Sequence, residues 1–402
     1  MRYNNIELGV NFVGVEFENP FILAAAPPSD EVDMVERAFE MGWAGAVLKT
    51  TSVEGTSVPL VYPMMSYNRY SNEKIVGLGN IDLISQYHID EIEKRVKYLK
   101  KKFPKKIVIV SIMGAKKEDW QTLVKRLEDV GVDIIECSFS CPQGSMGEEP
   151  GAMLSQSIEA TEKVTGWVKE AAKRVPVVIK ITPQVTNIVE VANAVKRGGA
   201  DAICASNTVP SLMGINVNNF VPYPEVNGKS TYSGYSGPAI KPITLRTISL
   251  IAKETGMPIT GTGGPTTWKD AVEFMLVGAY TVQFATAVMH YGYDIIEDLI
   301  DGLSFYMEER GISSVKDIIG KSLENIVDHD NLPRDKKARA YMKIKEFCVK
   351  CRECFIACRD GGHEAIEVDR ETGYPVIDED KCVGCRLCVS VCPTDALDIK
   401  FI

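Results

Sequence analysis

No apolar run in the sequence approaches the roughly 18 residues a membrane-spanning helix needs, so no membrane partner is expected. The opening, MRYNNIELGVN, lacks the basic-then-apolar layout of an export signal, so a cytoplasmic location is expected. Basic residues are in the minority. Their 45 Lys and Arg face 54 Asp and Glu, a formal charge of −9, which argues against broad nucleic-acid binding. Histidine is scarce. His88, His290, His329 and His363 show no ligand spacing and read as surface or loop residues. A G-x-G-x-x-G fingerprint is also missing, and with it any sign of a dinucleotide-binding fold.

Cysteine is what the sequence has in excess. Eight of its 11 cysteines fall between Cys348 and Cys392. Without export, clustered cysteines point to metal or redox chemistry rather than disulfides. Cys348, Cys351, Cys354 and Cys358 are spaced C-x2-C-x2-C-x3-C, and Cys382, Cys385, Cys388 and Cys392 repeat the run before Pro393. Such runs hold two [4Fe–4S] clusters in bacterial ferredoxins, the fourth cysteine of each crossing to the other cluster. The spacing therefore assigns Cys348, Cys351, Cys354 and Cys392 to one cluster and Cys382, Cys385, Cys388 and Cys358 to the other. Zinc is the alternative, but two C-x2-C pairs without crossover would suffice for it. Arg359 stands where the second run has Pro393, which alters the turn and not the ligation. Clusters of this kind move single electrons, so a further electron donor or acceptor is required.

From residue 20 to about 290, short apolar runs alternate with segments of helical spacing. The strand-like runs are Pro20–Ala26, Gly45–Thr50, Ile107–Met113, Asp133–Phe139, Pro176–Ile181, Asp201–Ser206, Pro258–Thr262 and Tyr280–Thr286. Their continuous apolarity fits parallel strands buried on both faces. Helices are expected over Asp30–Met41, Ile81–Lys102, Glu118–Asp129, Gln156–Arg174, Ile188–Lys196, Pro242–Glu254 and Thr267–Leu276. Gly42, Gly131, Gly199 and Gly278 suit left-handed helix ends. Eight βα units predict an α/β fold, a (β/α)8 TIM barrel, with a doubly wound sheet as the rival. The stretch IELGVNFVGVEFENP reads as a hairpin plugging the barrel's bottom. The expected organisation is a barrel over 1–310, a helical, basic connector over 311–345, and a small α+β ferredoxin domain over 346–402. Within the connector, Asn331–Lys345 carries six Lys and Arg against one Asp and reads as a solvated helix, or as a segment docking an acidic surface.

Active sites of such barrels sit at the C-terminal ends of the strands, with phosphate often bound after strands 7 and 8. Gly261-Thr262-Gly263-Gly264 ends strand 7 before a helix, and Phe284-Ala285-Thr286 ends strand 8, so both could cradle a phosphate. A plain tight turn is the alternative. Lys49 and Lys180 end apolar strands 2 and 5. A buried lysine needs an anion or a partner. A flavin suits both, because a cation near its N1 and C2 carbonyl stabilises the reduced anion; a salt bridge to a barrel Asp or Glu is the other reading. The loop after strand 4, Ser138 to Pro150, turns rich in Gly, Ser and Pro and reads as a mobile lid. Cys141 on it can transfer a proton, whereas Cys137 and Cys204 lie within strands and read as core. Asn207 and Thr208 follow strand 6, where an Asn can donate to and accept from an amide-like substrate.

Taken together, NPFILAAAP, LKTTS, SCPQGSMGEEPGAM, IKITP, ASNTVPSLMG, YSGYSGPAIKP, TGTGG and the doubled cysteine run are specific. On them the barrel resembles the flavin domain of the dihydroorotate dehydrogenase superfamily. The whole chain, tail included, resembles the catalytic subunits of dihydropyrimidine dehydrogenases. The resemblance implies FMN in the barrel, two [4Fe–4S] clusters in the tail, and reduction of the 5,6 double bond of uracil or thymine. Hydride would pass between flavin N5 and the C6 side of the ring, and Cys141 would handle the proton at C5. It places Ala25, Lys49, Thr50 and Lys180 at the flavin, Gly237, Gly263, Gly264, Ala285 and Thr286 at its phosphate region, and Ser138, Ser140, Asn207 and Thr208 at the substrate. Electrons would come from an iron–sulfur subunit carrying FAD and an NAD(P)H site, or from a ferredoxin-like partner, within a hetero-oligomer.

Two departures stand out. The family expects Asn three residues before the loop cysteine, where this chain has Ser138, and another Asn within Gly114-Ala115-Lys116-Lys117, where there is none. Each loss removes hydrogen-bonding capacity. An unpaired buried edge costs on the order of 1–3 kcal/mol, so two losses could shift selectivity roughly 10- to 10⁴-fold. The alternatives are therefore the same chemistry on another small cyclic amide or enone, an electron-carrier subunit without its own substrate, and a dihydroorotate dehydrogenase, to whose catalytic chain the fused tail is foreign.

Overall fold

The eight apolar runs become eight parallel strands of one closed barrel in the computed structural model of the chain, which describes residues 6–55, 60–70, 74–140 and 153–402. They are β1 (Phe21–Leu23), β2 (Gly45–Thr51), β3 (Ile107–Ile112), β4 (Ile134–Ser138), β5 (Val177–Ile181), β6 (Ala202–Ala205), β7 (Ile259–Thr262) and β8 (Ala279–Phe284). Each pairs with its neighbours in sequence, and β8 pairs with β1 to close the ring. The rival doubly wound sheet is excluded by that closure. The strands are buried along nearly their whole lengths, which is why their sequences do not alternate.

The helices are α1 (Val32–Met41), α2 (Ile89–Lys102), α3 (Lys117–Asp129), α4 (Ile158–Ala171), α5 (Ile188–Arg197), α6 (Lys241–Thr255), α7 (Trp268–Leu276), α8 (Thr286–Tyr291) and α9 (Ile295–Glu309). Gly42 ends α1 at φ +118°, a left-handed conformation that costs glycine nothing. Two expectations are corrected here. The helix expected from Ile81 begins only at Ile89, because residues 81–88 run as a loop across the barrel mouth. His290 is neither loop nor surface: it lies in α8, half-buried, and burial lowers its pKa. The N-terminal segment forms the expected hairpin, Val10–Phe12 against Val15–Phe17. Phe12 is buried, with its ring centroid 6.1 Å from that of Tyr280 at the start of β8. The hairpin thus closes the N-terminal end of the barrel.

The opposite end carries a four-stranded antiparallel sheet that the sequence reading did not contain. Its order is Val209–Ser211, Ser233–Ser236, Lys74–Asn80 and Met65–Tyr70. Two of these strands come from the loop after β2 and two from the loop after β6.

The chain divides into two compact units, Met1–Asn325 and Ile326–Ile402. In the second unit the connector is not a solvated helix. Ala338–Met342 is a strand paired antiparallel with Leu397–Phe401, and Ala340 is buried. Alternate Ala and Met residues give that basic stretch an apolar face. A second pair, Ile366–Val368 with Pro375–Ile377, and helices α10 (Glu353–Gly361) and α11 (Leu387–Ser390) complete the unit. α10 runs on through Cys358 and Arg359, whereas α11 stops before Cys392 and Pro393. The residue before a proline is disfavoured in helical conformation, which explains the difference.

Candidate active site and cluster cavities

The barrel's polar interior is built from residues that consecutive strands place side by side. Ser138 on β4 is in register with Lys180 on β5, which is in register with Cys204 on β6. Lys180 is buried, and its Nζ lies 3.5 Å from Glu136 Oε1. Burial disfavours its charge, but the Glu136 carboxylate, with Cys204 beside it, holds the lysine pKa above its ordinary value. Gln283 Nε2, from β8 across the barrel, donates to Glu136 Oε2 at 2.8 Å and approaches Thr260 Oγ1 at 3.4 Å. Cys137 and Cys204 are fully buried, and burial pushes both thiols well above their usual range. They are packing residues.

Lys49 is buried at the end of β2, and its Nζ meets Asp82 Oδ2 at 2.6 Å and Asp30 Oδ2 at 3.4 Å. Ser85 Oγ fixes Asp30 from the other side, donating to Oδ1 at 2.6 Å. Both barrel lysines therefore have carboxylate partners. Thr50 Oγ1 and Ser111 Oγ share a hydrogen bond of 2.9 Å. Ala25, also assigned to the flavin, is partly exposed beyond the end of β1.

The predicted phosphate residues converge. Gly237, Gly263 and Gly264 all adopt φ near +100°. A Cβ on Gly264 would stand 2.7 Å from the Lys241 nitrogen at the start of α6 and 2.9 Å from the Gly237 carbonyl oxygen. A Cβ on Gly237 would touch Thr286 Cγ2 at 3.4 Å. Thr286 Oγ1 donates to Ser236 Oγ at 2.8 Å, and Ala285 immediately precedes Thr286 at the start of α8. Three loops thus press bare backbone together beside the N-termini of α6 and α8, an arrangement suited to an anion. These residues fit a flavin phosphate.

At the substrate end, Ser138 and Ser140 are buried. Asn207 Nδ2 donates to Ser140 Oγ at 2.6 Å, and its Oδ1 accepts the Thr208 N–H at 2.8 Å. The chain is pinned where the loop after β4 leaves and returns: the Phe139 carbonyl accepts from both the N–H and the hydroxyl of Ser155 at 2.9 Å. Cys141 and the rest of the expected lid, as far as Pro150, lie outside the described residues.

In the second unit the eight cysteines line two cavities. Cys348, Cys351, Cys354 and Cys392 surround one, and Cys358, Cys382, Cys385 and Cys388 surround the other. The fourth cysteine of each run sits with the other run's first three, as the spacing implies. Among the described residues, no three His, Cys, Asp or Glu side chains gather around a single-ion point. The chain wraps each cavity through left-handed residues, Lys350 and Arg352 at the first and Gly384 and Arg386 at the second. Backbone N–H groups of Ala340, Ala365 and Ala396 donate to the sulfurs of Cys382, Cys358 and Cys392 at 3.3–3.4 Å. Burial and neighbouring cysteines hold the Cys354 and Cys388 thiols up at about 11, so thiolates here need a cationic core.

Residues that the sequence reading missed are Glu136 and Gln283 inside the barrel, Asp30 and Asp82 beside Lys49, and Ser236 beside Thr286. Ser236 lay within a quoted motif. The others carry no local signal, because distant loops or opposite strands bring them in.

A barrel with an anion cradle and buried lysines at its mouth, on one chain with two four-cysteine cavities, defines a flavin-dependent oxidoreductase that carries its own iron–sulfur relay. The dihydroorotate dehydrogenase family model matches residues 7–307 and a 4Fe-4S dicluster domain matches residues 342–399; the chain belongs to the dihydroorotate dehydrogenase family and carries FMN and [4Fe–4S] clusters. It is 39% identical over 397 residues to the NAD-dependent dihydropyrimidine dehydrogenase subunit PreA of Escherichia coli strain K12, covering 98% of this chain and 95% of that one. It is 35% identical to the chloroplastic dihydropyrimidine dehydrogenase (NADP(+)) of Arabidopsis thaliana, over 82% of this chain and 80% of that protein. It is also 35% identical to the catalytic subunit of dihydroorotate dehydrogenase B (NAD(+)) of Pyrococcus abyssi, over 79% of this chain and 99% of that one. Among the described residues no helix is long and apolar enough to cross a membrane.

Proposed function

We propose that the chain is the catalytic subunit of a cytoplasmic dihydropyrimidine dehydrogenase acting on the C5–C6 bond of uracil or thymine. Its electrons pass between a partner subunit that carries FAD and an NAD(P)H site, the two clusters, and FMN. The observation that carries this reading is the joining of a family flavin barrel to two crossed four-cysteine cavities, in the same order and over nearly the full length of a relative named for that reaction.

Bound FMN supplies a two-electron hydride centre and the clusters carry electrons singly. Lys49, Thr50 and Ala25 would hold one edge of the flavin and Lys180 its N1 and C2 carbonyl side. Gly237, Gly263, Gly264, Ala285 and Thr286 would hold the phosphate. Cys348, Cys351, Cys354 and Cys392 would hold one cluster, and Cys382, Cys385, Cys388 and Cys358 the other. Asn207 has one N–H and one carbonyl lone pair left after its bonds to Ser140 and Thr208, a donor–acceptor pair for a ring amide. Ser140 accepts from Asn207, so its own O–H is free to turn toward a substrate carbonyl. Cys141 would hold and deliver the proton at C5.

Replacing Cys141 by Ala tests this assignment. Turnover with uracil falls on the order of 100-fold or more while FMN content stays intact. Undiminished turnover removes Cys141 from the reaction. A second reading keeps the chemistry and changes the substrate to another small cyclic amide or enone. The buried Ser138 and the Gly114–Lys117 loop without Asn favour it. It holds if uracil and thymine fail to reoxidise the reduced chain and another compound of that class succeeds.

A further inference from the structure

Among the described residues, Glu136 is the one carboxylate buried in the barrel interior, and the proposed chemistry gives it no part. It sits on β4, 1% exposed, two residues before Ser138. Its two oxygens are divided between two jobs. Oε2 accepts from Gln283 Nε2 at 2.8 Å, and Oε1 has no hydrogen bond and faces Lys180 Nζ at 3.5 Å. Gln283 is itself braced, since its Nε2 reaches Thr260 Oγ1 at 3.4 Å and Thr260 receives the Thr281 hydroxyl at 2.8 Å. Among the described residues, Glu136 supplies the only carboxylate ion-paired with Lys180.

Removing ions from water is costly, and a lone buried ammonium sheds its proton rather than remain charged. An interior with no anion would give a neutral Lys180. A carboxylate held by a glutamine that a threonine pair fixes gives a charged one, aimed from below. The distance of 3.5 Å leaves the ammonium's remaining protons for a group above it.

We propose that Glu136 is a positioning residue for the flavin: by holding Lys180 protonated and in place, it stabilises negative charge on the flavin ring and sets the flavin's reduction potential. This rests on the reading that Lys180 faces the flavin. Opposite strands supply the two ends of the device, so the electronics at the barrel mouth are set by a polar column through its middle. A merely structural role would tie β4 to β8 and leave the flavin's properties unmoved.

Sulfite is the probe. It adds through sulfur to N5 of oxidised flavin and leaves the ring anionic, so its affinity reports a nearby cation without substrate or electron donor. The intact, FMN-loaded chain is titrated with sulfite, and the flavin midpoint potential is measured in parallel. In Glu136→Gln, which keeps the shape and can still accept from Gln283, sulfite binds on the order of tenfold more weakly or worse, and the potential becomes more negative. Glu136→Asp restores part of the affinity. Lys180→Met loses it as Glu136→Gln does. Unchanged sulfite affinity and potential in Glu136→Gln, with both lowered in Lys180→Met, overturns the role of Glu136 alone. An unchanged Lys180→Met overturns the placement of Lys180 at the flavin, and the inference with it. If Glu136→Gln does not fold, Gln283→Leu retains both charges and loosens the carboxylate: weaker sulfite binding supports the proposal, and unaltered binding overturns it.

Discussion

Gln283 on β8 and Glu136 on β4 stand on opposite staves of the barrel, yet their side chains meet at 2.8 Å. The bond therefore runs through the interior, and the middle of the barrel is a polar column rather than an all-aliphatic core. Gln283→Leu leaves one oxygen of a buried carboxylate without its donor. The barrel loses about 1–3 kcal/mol, seen by denaturant unfolding followed by tryptophan fluorescence. All four tryptophans lie in the first unit, so that signal reports the barrel.

Gly264 separates local backbone cost from the loss of a ligand cradle. It has φ +98°, and a Cβ there would clash with backbone at 2.7 and 2.9 Å. Gly264→Ala weakens FMN binding on the order of tenfold or more, because the backbone must shift where the phosphate sits. Gly131, at φ +80°, has nothing within 4 Å of its Cβ. Gly131→Ala costs about 1 kcal/mol of stability and leaves FMN affinity unchanged. Fluorescence titration of the apo-protein with FMN distinguishes the two.

The crossed cysteines make a prediction that zinc does not. Cys392 lines a cavity with Cys348, Cys351 and Cys354, 38 residues or more before it in sequence. Cys392→Ala perturbs the cluster of the first run and leaves that of the second. Iron falls from about eight to between about four and seven atoms per chain, and low-temperature electron paramagnetic resonance shows one altered cluster signal beside one intact. Zinc without iron in the anaerobically purified chain would contradict the assignment.

Asp270 braces the loop that follows β7. Its Oδ2 accepts the N–H groups of Thr266 and Thr267 at 2.9 and 2.8 Å, and Oδ1 meets Lys241 Nζ at 2.6 Å. Burial opposes its charge, but Lys241 and the two N–H groups prevail, so its pKa lies below the ordinary carboxylate value. A depressed carboxylate stabilises the fold above the unfolded value of about 3.9, and that stability is lost as pH falls through the folded value. Asp270→Asn therefore costs about 1–2 kcal/mol at pH 7, and its stability falls less steeply than the parent's below about pH 4. An equal fall in both would show that the ion pair contributes nothing.

The barrel was legible because burial on both faces writes eight unbroken apolar runs, and glycines such as Gly42 mark where helices stop. The crossed grouping of the eight cysteines was legible because their spacing is local. Asp82 was not, since the residues that carry it to Lys49 belong to an antiparallel sheet assembled from two loops far apart in sequence. Glu136 read as one more residue of an apolar strand; only closure of the barrel sets it against Gln283 and Lys180. The connector misled because its six basic residues hid an apolar edge that pairs with the last strand. At Ser138 the sequence shows only what is missing from a pattern, and an absence carries no signature of the ring that fits.

Mixing the anaerobically reduced, FMN- and iron-loaded chain with uracil or thymine tests the central claim most directly, because it needs no partner subunit. The expected result is rapid reoxidation of the flavin, followed by its absorbance, with dihydrouracil or dihydrothymine formed in equal amount. A fully loaded chain whose reduced flavin is untouched by either base would contradict a pyrimidine substrate.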